Sequence, residues 1–129
     1  MASGFPASTG DVLTAAAFNG LVSFTVGSDQ TADYTAVLTD QYQVLVPMNK
    51  ATAVAFKIPT DASVNFAVGT AITIYNKGAG TVTVSAVTPG TTTVVSAGAV
   101  SASPTLAQYK TCVAIKLAAN SWTIVGAVA

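Results

Sequence analysis

The chain has 129 residues, the length of one domain, and only 8% of them are charged against about 25% in an ordinary soluble domain. Five Lys balance five Asp, and there is no Arg, Glu or His. That inventory excludes a Ser-His-Asp or Cys-His catalytic arrangement and leaves too few cations for a nucleic-acid face. The single cysteine, Cys112, excludes an internal disulfide.

Residues 1–13 read as an N-terminal arm, small, polar and punctuated by Pro6 and Gly10. The start, Met1–Pro6, lacks the basic residues and apolar run of a signal peptide, so no export is expected. No window nears the ~18 apolar residues of a membrane span. Thr14 fits an N-cap and Gly20 a stop around Ala15–Ala17, which predicts one short helix.

From Leu21 the pattern is β, and residues 14–129 read as a single domain. Strands are expected over Leu21–Val26, Tyr34–Leu38 and Tyr42–Val46, with Pro47 ending the third. In Ala53–Ile58, Val54, Phe56 and Ile58 alternate with Ala55 and Lys57, the period of a half-buried strand. Thr70–Tyr75 and Thr81–Ser85 carry Ile72 and Ile74, then Val82 and Val84, each pair on one face. The glycine-rich Asn76–Gly80 between them predicts a hairpin. Thr88-Pro89-Gly90 fits a type II turn, followed by a strand over Thr91–Ser96 and a small-residue loop or edge over Ala97–Pro104. A last hairpin pairs Thr111–Leu117 with Trp122–Val125. In it Val113, Ile115 and Leu117 are expected to face inward and Lys116 outward, with Trp122 and Ile124 sharing a face opposite them.

About eight short strands with regular turn signals predict an all-β fold: an eight-stranded antiparallel β-sandwich or jelly roll with a short N-terminal arm and one short helix. So few charges leave little to block strand edges, and contacts between copies are the expected substitute. Net charge is zero, so little repulsion keeps copies apart. The surface is expected to be covered by other protein.

Chemistry is sparse. Cys112 reads as a packing residue, since a reactive thiol needs an electropositive partner. Asp29, Asp33 and Asp40 lack the spacing of a calcium loop, and zinc lacks ligands. Gly78-Ala79-Gly80 lacks the third glycine and helix of a phosphate loop. Trp122 with Tyr34, Tyr42, Tyr75 and Tyr109 suits packing better than a sugar platform. No catalytic residue, cofactor or metal is expected.

Three stretches carry a resemblance. Thr9–Asn19 resembles a leader of tailed-bacteriophage virion proteins. Val54–Tyr75, continuing to Gly80, is similar to their run of apolar strand, Pro, polar loop, Gly-Thr, strand and Asn-x-Gly. Val113–Val128 resembles their closing strand, turn, Trp strand and Gly. That family supplies β-sandwich modules to phage capsids, as decoration or cement proteins, commonly trimers, and to tail fibres. The resemblance implies a non-enzymatic virion protein on the outer capsid surface, made in the host cytoplasm. Its partner would be the major capsid protein, in a homotrimer, with no nucleic acid or membrane. A module standing alone favours decoration over a fibre. Phe5, Pro6, Val12 and Leu13 are the expected capsid-binding residues of the arm. The alternative is a receptor- or glycan-binding module of a fibre or head spike.

Overall fold

A computed structural model describes Ala15 and residues 25–96, 98–100 and 102–129. The arm, with Phe5, Pro6, Val12 and Leu13, lies outside the described residues, as does most of the expected helix, of which only Ala15 is described, as helical. Thr25 and Val26 are the described part of the first expected strand.

The chain is mostly β and builds two sheets. The strands are β1 (Tyr34–Thr35), β2 (Val46–Met48), β3 (Val54–Ile58), β4 (Ala71–Asn76), β5 (Val82–Ala86), β6 (Thr93–Ser96), β7 (Ala99–Val100), β8 (Thr105–Leu106), β9 (Thr111–Ala118) and β10 (Ser121–Gly126), with a 3-10 helix over Leu38–Tyr42. One sheet has the order β1-β3-β5-β8, the other β2-β4-β9-β10-β6-β7. The expected antiparallel arrangement holds for only half of the strand pairings, β9 with β10, β4 with β9, β5 with β8 and β6 with β7. β1 with β3, β3 with β5, β2 with β4, and β10 with β6 are all parallel. Strands β1 to β6 alternate between the sheets, so their partners are non-local and local turn signals do not reveal them.

The connection from β4 to β5 illustrates this. Asn76–Gly80 does not close a hairpin, because β4 and β5 belong to different sheets. Its glycines serve close packing instead. A Cβ at Gly80 would strike the Thr52 carbonyl, and one at Gly78 the Lys50 backbone. Gly80 N donates to Lys50 O (2.9 Å) and Gly78 N to Met48 O (3.1 Å). The buried Asn76 amide locks the crossing, donating to Gly80 O and Leu106 O at 2.8 Å each. The last hairpin, β9 with β10, is antiparallel as expected.

Alternation places Val54, Phe56 and Ile58, Ile72 and Ile74, Val82 and Val84, and Trp122 and Ile124 inside, as their period predicts. They form one buried cluster drawn from both sheets. Phe66, on the loop after β3, meets Trp122 edge to face at 5.5 Å.

In β9 the expected faces are reversed. Cys112, Ala114 and Lys116 point in, while Val113 and Ile115 are half-buried and Leu117 is exposed. Register explains it. Ala114 pairs with Ile72 on one side and Ile124 on the other, and Lys116 pairs with Trp122. Small residues on the central strand make room for large neighbours on both flanks.

Pro47 lies within β2 rather than ending it. β2 is an edge strand, where proline is tolerated. The Pro47 carbonyl accepts from Gln30 N (2.9 Å), so its missing N–H faces away from β4. At Thr88-Pro89-Gly90, Thr91 N donates to Thr88 O (2.9 Å). Gly90 is not left-handed there, so the turn is not type II.

The chain covers two of its own sheet edges. Along β2, Gly27 N donates to Leu45 O and Asn49 N to Gln30 O. Along β8, Thr105 and Ala129 exchange backbone hydrogen bonds at 3.1 and 2.9 Å. Contacts between copies are therefore not what protects these edges.

Candidate functional site

The two outer sheet faces differ in chemistry. Outward residues of the four-stranded sheet are Thr35, Ala55, Lys57, Thr83, Ser85 and Thr105, polar but for Ala55 and with one ammonium. Those of the six-stranded sheet include Tyr75, Val95, Val113, Ile115, Leu117 and Val125, separated by Thr and Ala. Registry ties them together. Val113 lies opposite both Thr73 and Val125, and Ile115 opposite both Ala71 and Thr123. Among the described residues no charged side chain points from this face. Leu117 is 54% exposed, Val125 45% and, on β7, Val100 69%.

Inside, β9 carries the most unusual group. Lys116 is 2% exposed. Its Nζ donates to Asp61 Oδ1 (2.8 Å), Phe66 O (2.6 Å) and Asn65 Oδ1 (3.5 Å). All three ammonium protons thus have acceptors, which burial of a cation requires. Asp61 Oδ2 accepts from Asn120 N (3.0 Å), and Asp61 N donates to Asn120 Oδ1 (2.8 Å). Asn120 is left-handed (φ 49°) in the β9–β10 turn, a conformation Asn tolerates. The hydrogen bond from Lys116 holds the Asp61 carboxyl below the usual carboxylate range. The cluster pins the loop after β3 to the β9–β10 turn, and every member is engaged in structure.

The other candidates are similarly occupied. Asp40 accepts from the Tyr34 hydroxyl (2.8 and 2.9 Å) and from Val37 N (2.9 Å). Burial, with Asp40 beside it, raises the Tyr34 phenol above its ordinary value. Asp29 pairs with Lys77 (3.0 Å) and Asn49 (2.9 Å), and Asp33 accepts from Ala55 N (2.9 Å). Among the described residues no three acidic or thiol groups converge on a metal position. Burial pushes the Cys112 thiol up to about 12, the opposite of an activated nucleophile.

The aromatic residues are dispersed. Trp122 is in the core and the Tyr34 hydroxyl is bound by Asp40. Tyr42 and Tyr109 are exposed at opposite ends of β4: Gln41 meets Thr70 at one end, and Tyr109 N meets Asn76 O at the other. A shallow cleft of about 270 Å³ beside β6 and β7 is lined by Ser96, Ala99, Ala102, Ser103, Pro104 and Ala129. The buried Ser96 hydroxyl there has no hydrogen-bond partner among the described residues.

No helix among the described residues is long and apolar enough to cross a membrane. Comparison with protein-family models, curated proteins and solved structures finds no match.

Proposed function

We propose that this chain is a non-enzymatic decoration protein of a tailed-bacteriophage capsid. Its two sheets are read as the layers of a β-sandwich that assembles as a homotrimer. It binds the major capsid protein on the outer surface of the head and stabilises the shell. Residues 1–13 form the capsid-binding arm, with Phe5, Pro6, Val12 and Leu13 as its contacts.

The observation that supports this reading best is the surface. Large apolar side chains, from Val26 to Val125, stand exposed on a molecule with only ten charges. Scattered exposed apolar residues are ordinary, but a contiguous apolar face is characteristic of a surface that other protein covers. The resemblance in Thr9–Asn19, Val54–Gly80 and Val113–Val128 supplies the capsid as the partner. A ligand that binds only the assembled shell stabilises it by mass action.

The test is cosedimentation of the full chain, and of a chain lacking residues 1–10, with phage heads that lack this protein. The full chain should pellet with heads and the shortened chain should remain soluble, folded and unbound. A full chain that ignores heads overturns the proposal, and a shortened chain that binds with full affinity overturns the role of the arm.

A further inference from the structure

We infer that the outer face of the six-stranded sheet is the surface through which copies of this chain pack against one another. This deepens the assembly reading above and rests on it for the premise that the chain forms an oligomer.

Three observations select this face and this occupant. The first is size. The six strands hold 29 residues in all, which at about 3.4 Å per residue and about 4.8 Å between strands make a plane of ~470 Å². Side-chain relief adds to that area, which brings it into the range of a small protein interface, below the ~800 Å² per partner of a standard one. The second is charge. Around a three-fold axis the residues nearest the axis meet their own copies, and like charges brought together there cost affinity. Here no described outward residue carries one. The polar groups are also partly satisfied from within: Thr123 Oγ1 donates to Val95 O at 3.2 Å. Burying that hydroxyl leaves no orphaned donor. The third is that strand addition offers little, since the edges not already covered, β1 and β7, are two residues long each. β2 and β8 are already covered by residues 25–30 and 128–129, so copies cannot add strands along those edges. The four-stranded sheet offers Lys57 on its outer face, and packing that face around the axis would bring ammonium groups together.

The geometry sets a hierarchy within the face. The Val113–Val125 pair and Ile115 form its middle, with Leu117 and Val100 at its margins. Leu117 and Val125 are exposed enough for a lysine to replace either without entering the core.

The experiment is multi-angle light scattering on the full chain and on Val125→Lys, Leu117→Lys and Thr83→Lys, with far-UV circular dichroism for each. The unmodified chain should have about three times the 12.8 kDa chain mass. Val125→Lys and Leu117→Lys should each fall to the single-chain mass with an unchanged β spectrum. Thr83→Lys, on the outer face of the other sheet, should keep the assembled mass. The inference is overturned if the unmodified chain is a monomer at tens of micromolar, or if both face variants stay assembled. It is equally overturned if Thr83→Lys dissociates as readily as they do. Heads play no part in this readout, so its failure leaves the capsid proposal to its own test.

Discussion

Replacing Asp61 by alanine strands a buried ammonium. Lys116 keeps the Phe66 carbonyl at 2.6 Å and Asn65 Oδ1 at 3.5 Å, but loses its one anion. Asn120 N, at a left-handed turn, loses its acceptor at the same time. Removing one partner of a buried pair costs about 3–5 kcal/mol, because the other charge remains uncompensated. A domain of this size has a total stability of about 5–15 kcal/mol, so the loss is large. Lys116→Met removes the charge and keeps much of the apolar stem. Asp61, whose side chain is 20% exposed, can turn to water, and the Phe66 carbonyl is the main group left unpaired, at about 1–3 kcal/mol. The order is therefore specific: Asp61→Ala costs more than Lys116→Met, and Asp61→Ala made on top of Lys116→Met costs only about 1 kcal/mol. Urea unfolding of the four proteins, followed by Trp122 fluorescence, measures the cycle. An Asp61→Ala cost below about 1 kcal/mol, the range of a surface pair, would refute the argument that Lys116 is a buried charge held by Asp61.

Three further outcomes follow from the same structure. The Asp61 carboxyl is held below its ordinary value of 3.8 in the folded chain. Its contribution is present above that pH and is lost as pH falls through the lowered value, so acid should destabilise the native protein more than Lys116→Met. Burial raises the Cys112 thiol from 9.0 to about 12. Native protein should therefore resist a thiol reagent at pH 8 that labels the urea-unfolded chain at once, and stability should fall as pH rises from 9 toward 12; rapid native labelling would contradict both. Gly80→Ala drives a Cβ into the Thr52 carbonyl and should cost about 1–3 kcal/mol in urea unfolding, where a free hairpin turn would tolerate it.

Much of the fold is legible in the sequence wherever alternation is local. Val54, Phe56 and Ile58, Ile72 and Ile74, and Val82 and Val84 bury the faces their period assigns. What escapes is pairing. Asn76–Gly80 has the length and glycines of a turn, yet its glycines answer to Lys50–Thr52, a contact fixed by tertiary packing. β9 escapes for another reason. Its two faces offer Val, Ile and Leu on one side and Cys, Ala and Lys on the other, and hydrophobicity alone selects the first. Volume and register select the second, because Ile72, Ile124 and Trp122 flank it and Asp61 is there to receive Lys116. The short turn before Trp122 held the usable signal, since antiparallel pairing across it places Lys116 beside Trp122. The uncharged outer face was visible only as a shortage of charges, with no indication of where the apolar surface would gather.

In the proposed decoration role the chain covers and reinforces a protein shell. The most direct measurement is the thermal disruption of phage heads lacking the protein, with increasing amounts of the purified chain added. Binding to the assembled shell alone requires a disruption temperature that rises with concentration and saturates. Heads that come apart at the same temperature at every concentration would contradict it.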